Sequence, residues 1–393
     1  MRVLFLTIGP DSEPSSRFRV FQFLEPLRRE GIQATVLPLA DRRYLELGYG
    51  MGRFAGAIRI PWVAGHFLAR ILRRVRDLWR ARHYDLVFIQ KEVFPFGLER
   101  LISLLGIPVV YDFDDAIHLK SHLPDGRGGR LGRLADRILR RERALPGLLA
   151  RCRTVIAGNP RLGSYASEHC EKVKVIPTVV DTDAYTRAPL RRRGTLTVGW
   201  IGAPPNLRYL EPLRPVFQEL AGRFDVRVHI AGTESFDCPG VPVDCSGWRH
   251  YESVADEVAD LHGFDVGIMP LPDTEFAAGK CALKAIQYMA CGIPVVASPV
   301  GVSGEVVVDG ECGFLASTPE QWLDRLARLL DDAELRRRLG EAGRRRARSL
   351  YSIHSALPKL VEVLESAAGR GGLVEPSGIE PPTSALRTRR SPN

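Results

Sequence analysis

The sequence has no long hydrophobic run and no paired cysteines. None of its 393 residues belongs to a stretch near the ~18 uninterrupted apolar residues that a membrane-spanning helix needs. The apolar stretch near the amino terminus, VLFL, is too short for a secretory signal. Seven scattered cysteines, without a Cys-x-x-Cys pair or a histidine cluster, argue against disulfides and structural zinc. These absences predict a reduced, cytoplasmic protein.

The sequence also lacks the signatures of dedicated nucleic-acid binders: it has no zinc finger, RNP motif or basic zipper. Its 55 Lys and Arg against 46 Asp and Glu give a net charge of +9, which favours an anionic partner. Nucleic acid, a phospholipid surface and a phosphorylated small molecule all fit that charge. Because the arginine excess is spread over the chain, we expect no nucleic-acid partner.

Apolar strand-like runs alternate with amphipathic helical stretches throughout the chain, which is typical of a parallel α/β architecture. The length exceeds what one hydrophobic core usually supports. Six runs begin near residues 2, 32, 85, 107, 154 and 173, and five more near residues 196, 226, 241, 264 and 293. We therefore predict two doubly wound domains, with ligand sites at the carboxyl ends of their strands.

Composition suggests the domain boundaries. We expect a first domain over residues 1–182, a polar and basic linker over 183–195 and a second domain over 196–350. A helix over 351–368 is expected to pack back on the first domain. Residues 369–393 are rich in Gly, Pro, Ser and Arg without periodicity, and are predicted to be a disordered tail.

Residues 53–82 form a basic amphipathic segment in which arginines alternate with aromatic and aliphatic residues. Such a helix can lie on an anionic membrane surface. It can equally be an ordinary helix that packs on the sheet and exposes its arginines, and the sequence leaves both interpretations open.

The stretch GKCALKAIQYMACGIPVVAS, residues 279–298, carries the most specific polar pattern. In a helix that begins after Gly279, the side chains of Lys280, Lys284 and Gln287 fall along one edge of the apolar face. Lysines at this spacing are most often a solvated face. Here, however, the helix follows a predicted strand, so its amino end would lie at the carboxyl edge of the sheet and favour a diphosphate.

This stretch, extended to FDVGIMPLPDTEFAAGKCALKAIQYMACGIPVVASPVG and followed by GECGFL, resembles the donor site of the family-4 glycosyltransferases. The amino-terminal RVLFLT and SSRFRVFQFLEPLRREGI, the segment VKVIPTVVDTDAY and the loop LTVGWIGAPPNLRYLEPL resemble other parts of the same family. The likeness extends over roughly residues 1–368. It implies the GT-B fold, in which two Rossmann-like doubly wound domains face each other across a cleft.

The resemblance implies sugar transfer from a UDP- or GDP-linked donor to a glycan, lipid or small-molecule acceptor, with retention of configuration and without a metal or cofactor. The loop after Gly202 would bind the diphosphate together with Lys280 and Lys284, and Arg208 stands where many members have a phosphate-binding lysine. The setting would be cell-envelope or exopolysaccharide synthesis, with the enzyme peripheral on the inner face of the membrane through its basic segment.

Departures from the family pattern fall at the donor site. The glutamates at the two ends of the usual E-x7-E element are Gly279 and Gln287 here, and the usual arginine after the glycine is Ala203. The amide of Gln287 can accept from a ribose hydroxyl through one oxygen, and Glu275 is a candidate substitute for the first glutamate. The alternative hypothesis is therefore a catalytically impaired GT-B protein that binds a nucleotide or glycan.

The facing domain offers a carboxylate cluster and an arginine. In VVYDFDDAIH, Asp114 falls where many members carry a histidine near the anomeric carbon, and Asp112 lies two residues before it. We predict that these two aspartates orient an acceptor or stabilise oxocarbenium charge, although helix capping and pairing with arginine are equally compatible. Arg17, in PSSRFR, is expected to reach the donor phosphates or an anionic acceptor across the cleft.

Overall fold

Two six-stranded parallel sheets, one in each half of the chain, confirm the predicted doubly wound architecture. The computed structural model describes residues 1–40, 59–119, 141–190, 194–247 and 253–370. Part of the basic segment, residues 53–58, and most of the predicted tail, residues 371–393, lie outside these ranges. Within the described residues, no helix combines the length and the apolar character needed to cross a bilayer.

The first sheet has the strand order β2-β1-β3-β4-β5-β6. Its strands are β1 Arg2–Thr7, β2 Gln33–Pro38, β3 Leu86–Gln90, β4 Val109–Phe113, β5 Thr154–Ala157 and β6 Val173–Val175. The helices of this half are α1 Pro14–Arg19, α2 Leu24–Arg29, α3 Arg59–Arg80, α4 Arg141–Leu149 and α5 Pro160–Ser167.

The second sheet has the strand order β12-β11-β10-β7-β8-β9. Its strands are β7 Leu196–Ile201, β8 Val226–Ala231, β9 Val243–Ser246, β10 Val266–Met269, β11 Val295–Ala297 and β12 Phe314–Leu315. Its helices are α6 Arg214–Arg223, α7 Val254–Leu261, α8 Glu275–Ala278, α9 Leu283–Ala290, α10 Ser303–Val306, α11 Pro319–Asp331, α12 Ala333–Leu350 and α13 Ile353–Ala367. The two-residue β12 was not predicted as a strand.

The central strands are apolar along their whole length because helices cover both faces of each sheet. Every residue of β3, β4 and β7 is buried. In each sheet the order reverses beside the first strand of the domain, between β1 and β3 in the first and between β7 and β10 in the second. Ligands of such folds bind at these switch points, outside the carboxyl ends of the strands.

The chain crosses between the domains twice at one place. Val180 and Ser352 form a parallel bridge, so the segment that leaves the first domain lies beside the segment that returns to it. Helix α13 then packs through Ile353, Leu360 and Leu364 into the core beneath the first sheet. The carboxyl-terminal helix thus belongs structurally to the amino-terminal domain.

Helix α3 is anchored by one arginine and leaves an apolar stripe in solvent. Arg74 is buried and donates to the carbonyl oxygens of Thr7 and Leu37 at 2.8 and 2.9 Å, and its Nε lies 2.7 Å from Glu92. On the outer face, the large apolar side chains are exposed by 39 to 63%: Leu68, Leu72, Val75 and Trp79. The helix therefore packs on the sheet as in the second interpretation, and its outer face exposes apolar side chains as well as arginines; binding to a membrane surface stays a prediction.

A buried ion pair fixes α1 to the sheet. The guanidinium of Arg19 pairs with the carboxylate of Asp112 at the end of β4, and it donates to the carbonyl of Ile176 at 2.9 Å. Although burial disfavours its charge, Asp112 raises the pKa of Arg19 above its ordinary value. The pairing therefore keeps the Arg19 guanidinium charged, whereas burial raises the pKa of Asp112 in spite of this partner.

Asp112→Asn is expected to destabilise the first domain, because Arg19 would stay buried without its counter-ion. Breaking a buried pair from one side costs about 3–5 kcal/mol, so the free energy of unfolding in urea should fall by about 3 kcal/mol. The matched control is Asp244→Asn, which removes the exposed partner of Arg227 at 3.0 Å and should cost less than about 1 kcal/mol. Equal losses in the two variants would contradict the assignment.

Candidate functional site

A cleft lies between the two domains where the carboxyl ends of β1, β3 and β4 face those of β7 and β10. It contains a cavity of about 260 Å³ and an adjoining one of about 160 Å³. The charged and amide side chains that line the larger cavity come from both domains and include Arg17, Lys91, Asp114, Asp115, Glu257, Lys280, Lys284 and Gln287. Six of the nine residues predicted for the site are among the lining: Arg17, Asp114, Gly202, Lys280, Lys284 and Gln287.

The amino terminus of α9 opens on this cavity without a side-chain cap. The residue before the helix, Ala282, has left-handed backbone angles of φ 54° and ψ 28°, and its methyl group cannot accept a hydrogen bond. The first N–H groups of a helix have no partner within the helix and carry the positive end of its dipole. The uncapped end of α9 is therefore suited to an anion.

Lys284, in the first turn of α9, adds a positive charge with no counter-ion. Among the described residues, no carboxylate lies within ion-pair distance of its Nζ, which stands 5.5 Å from the ring centroid of Trp200. Burial, together with the charge of Lys280, lowers the pKa of Lys284 to about 8. Lys280 itself lies 3.9 Å from Asp115 across the cleft.

Gly202 gives Lys284 its path to the cavity. A Cβ on Gly202 would lie 2.9 Å from Cε of Lys284 and 2.5 Å from the indole ring of Trp200. Any side chain at this position would displace the lysine. The glycine is thus required by the packing around Trp200 and Lys284.

Gln287 lies one turn further along α9 and is held in a buried polar cluster. Its Nε2 donates to Glu257 Oε1 and lies 3.3 Å from the hydroxyl of Tyr185. The Tyr185 hydroxyl donates to the same carboxylate oxygen at 3.0 Å, and Arg17 of the first domain pairs with the other oxygen. Arg17 therefore reaches across the cleft as predicted, but its partner here is a protein carboxylate.

Asp114 and Lys91 form the polar wall that the first domain contributes. The Asp114 carboxylate accepts from the hydroxyl of Ser15 at 2.7 Å and lies 3.2 Å from Lys91 Nζ. Burial opposes its ionisation, but the charges of Lys91 and Arg19 outweigh burial and hold the pKa of Asp114 below its ordinary value. Asp114 is therefore an ionised carboxylate at neutral pH.

Three residues predicted for the site do not line either cavity. Asp112 is 1% exposed and engaged with Arg19, so its position corrects the expectation that it would face a ligand. Arg208 is exposed, and its guanidinium lies against the ring of the adjacent Tyr209 at 5.2 Å. Glu275 is the exposed first residue of α8.

Lys91 and Glu257 line the cavity but were not predicted from the sequence as site residues. Lys91 directly follows β3 at the switch point of the first sheet, where it adopts a left-handed φ of 56°; its place after that strand was the available signal. Glu257 lies among Val254, Val258 and Leu261, at the spacing of the apolar face of α7. An acidic residue on the apolar stripe of a helix was a signal of a buried role.

The two domains touch where α8 leads into α9. The carbonyl of Gly279 accepts from Asn159 Nδ2 at 2.9 Å, and the thiol of Cys281 lies 3.1 Å from the carbonyl oxygen of Asp114. A Cβ on Gly279 would lie 2.4 Å from the Cβ of Ala116. The missing side chain at residue 279 thus permits the close approach of the domains.

No group of three or more histidine, cysteine, aspartate or glutamate side chains within the described ranges is arranged to hold a metal ion. The carboxylates of the cleft are instead paired with lysine or arginine. In the part of the chain that the structure describes, positive charge at the cavity comes from side chains and from the end of α9.

Two family models match most of the chain. The model described as Glycosyltransferase Family 4 matches residues 18–184, and the model described as Glycosyl transferases group 1 matches residues 195–332. The boundary between the two matches coincides with the segment that joins the two sheets.

Curated relatives show the same likeness. The chain is 42% identical over 92 residues to an MMP alpha-(1->4)-mannosyltransferase of Mycolicibacterium hassiacum, a match that covers 23% of this chain and 22% of that protein. It is 25% identical over 331 residues to a D-inositol 3-phosphate glycosyltransferase of an Arthrobacter species, with 76% of each chain covered.

Solved structures share the fold. Anabaena HepE in complex with UDP and glucose has a TM-score of 0.63 at 18% identity, over 93% of this chain and 100% of that one. Sucrose-phosphate synthase from Thermosynechococcus elongatus has a TM-score of 0.64 at 14% identity, over 94% and 100%.

Gly279→Glu is expected to separate the domains, because even the first carbon of the new side chain would overlap Ala116. Cys281, which is 8% exposed, should then react faster with a thiol reagent, as followed by mass spectrometry of its peptide. A tenfold increase in this reaction rate would correspond to a loss of ~1.4 kcal/mol in the free energy of the contact between the domains. The control is Gly222→Glu, where a Cβ meets no atom within 4 Å. Equal Cys281 reactivity in both variants would refute the interpretation.

Proposed function

Because the chain belongs to the family-4 glycosyltransferases of the GT-B fold, a family of transferase enzymes, we propose that it transfers a sugar from a nucleoside-diphosphate donor to an acceptor hydroxyl. The observation that carries the proposal is the uncapped amino terminus of α9 with Lys284 in its first turn, a lysine that has no ion-pair partner among the described residues. Backbone N–H groups and a lysine that converge on one cavity match the charge and the acceptor atoms of a diphosphate.

The donor diphosphate binds between Gly202 and the start of α9. As the sugar–phosphate bond breaks, negative charge develops on the leaving diphosphate, and Lys280, Lys284 and the helix dipole stabilise it. This arrangement needs no metal ion or cofactor, and we propose a retaining, metal-independent transfer. The UDP bound by the Anabaena structural neighbour supports a uridine or similar nucleotide in the donor.

The first domain presents the acceptor. Asp114, held ionised by Lys91 at 3.2 Å, faces the cavity opposite α9, where a carboxylate can orient the acceptor hydroxyl or stabilise positive charge on the sugar ring. We propose a glycan, a lipid-linked glycan or a small polyol phosphate as acceptor, in cell-envelope or exopolysaccharide synthesis. The named activities of the mannosyl- and inositol-phosphate-dependent relatives support this range.

The rival hypothesis is a protein that binds the nucleotide but has lost transfer. It is motivated by Gly279, which offers no carboxylate near the transferred sugar. Hydrolysis of a UDP- or GDP-sugar by the purified protein, abolished in Lys284→Met, would exclude the rival; binding without any hydrolysis or transfer would favour it.

Nucleoside-diphosphate binding should weaken as pH rises through the pKa of Lys284. This pKa is lowered to about 8, so the side chain is mostly charged at pH 7 and mostly neutral at pH 9. Isothermal titration with UDP and GDP should show affinity for the preferred nucleotide falling by about tenfold between these pH values.

Three variants make the pH test specific. Lys284→Met should bind weakly at both pH values, and Lys284→Arg should bind without the pH dependence. Lys172→Met, an exposed lysine before β6, should behave as the unchanged protein. No binding of either nucleotide, or an unaltered pH dependence in Lys284→Met, would count against the proposal.

We further propose that α3 brings the enzyme to an anionic membrane surface. Its exposed stripe of Leu68, Leu72, Val75 and Trp79 is bordered by exposed arginines, and the guanidinium of Arg82 lies 3.5 Å from the centroid of the Trp79 ring. Apolar side chains flanked by arginines match a bilayer interface with acidic headgroups.

Leu72→Glu is expected to reduce co-sedimentation with vesicles that contain phosphatidylglycerol, since it places a negative charge in the centre of the stripe. The unchanged protein should bind these vesicles more strongly than phosphatidylcholine vesicles, because each arginine near an anionic surface contributes ~1 kcal/mol. The control is Leu104→Glu at another exposed leucine. Equal binding to vesicles with and without phosphatidylglycerol, or equal effects of the two substitutions, would exclude the proposal.

A further inference from the structure

Glu257 is a buried carboxylate that borders the donor cavity. Glu257 is 1% exposed, yet it lines the cavity together with Gln287 and Arg17. The carboxylate comes from α7, which ends at Leu261, just before the family-like stretch that begins at Phe264. The role of Glu257 must therefore be inferred from its own contacts.

Three donors hold this carboxylate in place. Oε1 accepts from the hydroxyl of Tyr185 at 3.0 Å and from the amide of Gln287, and Oε2 pairs with Arg17. Tyr185 and Gln287 are both buried, so they fix the carboxylate from inside the second domain. Only Arg17 comes from the other side of the cleft.

Gln287 cannot present a carboxylate to a ligand, and its amide nitrogen is already committed to Glu257. A carboxylate has about four lone-pair sites and accepts only, and the three donors occupy three of them, so Glu257 retains capacity for about one further donor. A sugar hydroxyl is a donor that matches this remaining site, which borders the cavity that we propose for the diphosphate.

A purely structural role explains the site less well. Burial raises the pKa of Glu257 in spite of Arg17, so the protein accepts an unfavourable desolvation at this position. The pairing also joins residues of two different domains. A negative charge on the substrate would compete with Glu257 for Arg17. Groups of this kind cluster at ligand sites.

We propose that Glu257 supplies the carboxylate that accepts from the ribose 2′-hydroxyl of the donor nucleotide, in the place left by a glutamine at residue 287. Gln287 and Tyr185 are positioning residues that orient its oxygens. This inference rests on the proposed function, and it specifies that the donor is a ribonucleotide whose ribose is recognised by a residue of α7.

The test compares the affinities of UDP and 2′-deoxy-UDP, or of the guanosine pair if GDP is the tighter ligand. Loss of one hydroxyl leaves the buried carboxylate short of a donor, so the unchanged protein should prefer the ribonucleotide by about 10- to 100-fold. Glu257→Gln should reduce this ratio to near one, and Glu257→Asp, which keeps the charge but shortens the side chain, should reduce it partly.

Two further variants separate ribose binding from a structural role. Arg17→Met removes the cross-cleft pair and should leave the ratio largely intact, whereas equal ratios in Arg17→Met and Glu257→Gln would mean that Glu257 only holds Arg17. Gln287→Met, which removes one of the donors that orient Glu257, should lower the ratio less than Glu257→Gln does. A ratio lost in Gln287→Met and kept in Glu257→Gln would assign the ribose to residue 287.

The outcomes distinguish this inference from the proposed function. Binding of UDP or GDP without any preference for the ribonucleotide would overturn the inference and leave the proposed function standing. Failure of the unchanged protein to bind any nucleoside diphosphate would overturn both. Should Glu257→Gln fail to fold, as judged by circular dichroism, the ratio in Glu257→Asp decides.

Discussion

The cleft depends on the close contact of two backbones at Gly279. Because this residue has no side chain, the loop between α8 and α9 lies against Ala116, and Asn159 hydrogen-bonds its carbonyl at 2.9 Å. That contact brings the start of α9 opposite Asp114 and closes the cavity from both sides. A side chain at residue 279 would hold the domains apart. Gly279, which stands where the family usually has a glutamate, therefore permits this arrangement of the site.

Within the cleft, two of the described ion pairs cross between the domains, and one described lysine has no ion-pair partner. Arg17 pairs with Glu257, and Lys280 lies near Asp115, so the protein compensates most of its buried charge internally. Lys284 has no such partner within the described residues, and burial depresses its pKa accordingly. An incoming anion would supply the missing counter-charge at the point where the end of α9 already favours it.

Strand runs are a local property, and the sequence predicted most of them. The Lys280, Lys284 and Gln287 pattern was also readable, because helical spacing puts these side chains on one edge before any tertiary contact is considered. Asp112 was misjudged because its alternative, a buried pair with Arg19, depends on how α1 packs on β4. Glu257 was missed because nothing near it in sequence shows that α7 would bring it to Gln287.

The two parallel sheets, the family and the polar edge of α9 could be predicted from the sequence, since each follows from short-range periodicity or from a contiguous motif. Only the tertiary structure decided which charges meet. Arg17 and Glu257 are 240 residues apart, and their pairing depends on the relative position of two separately folded domains. Contacts of that kind are set by the docking of whole surfaces, and a local pattern of residues carries no information about them.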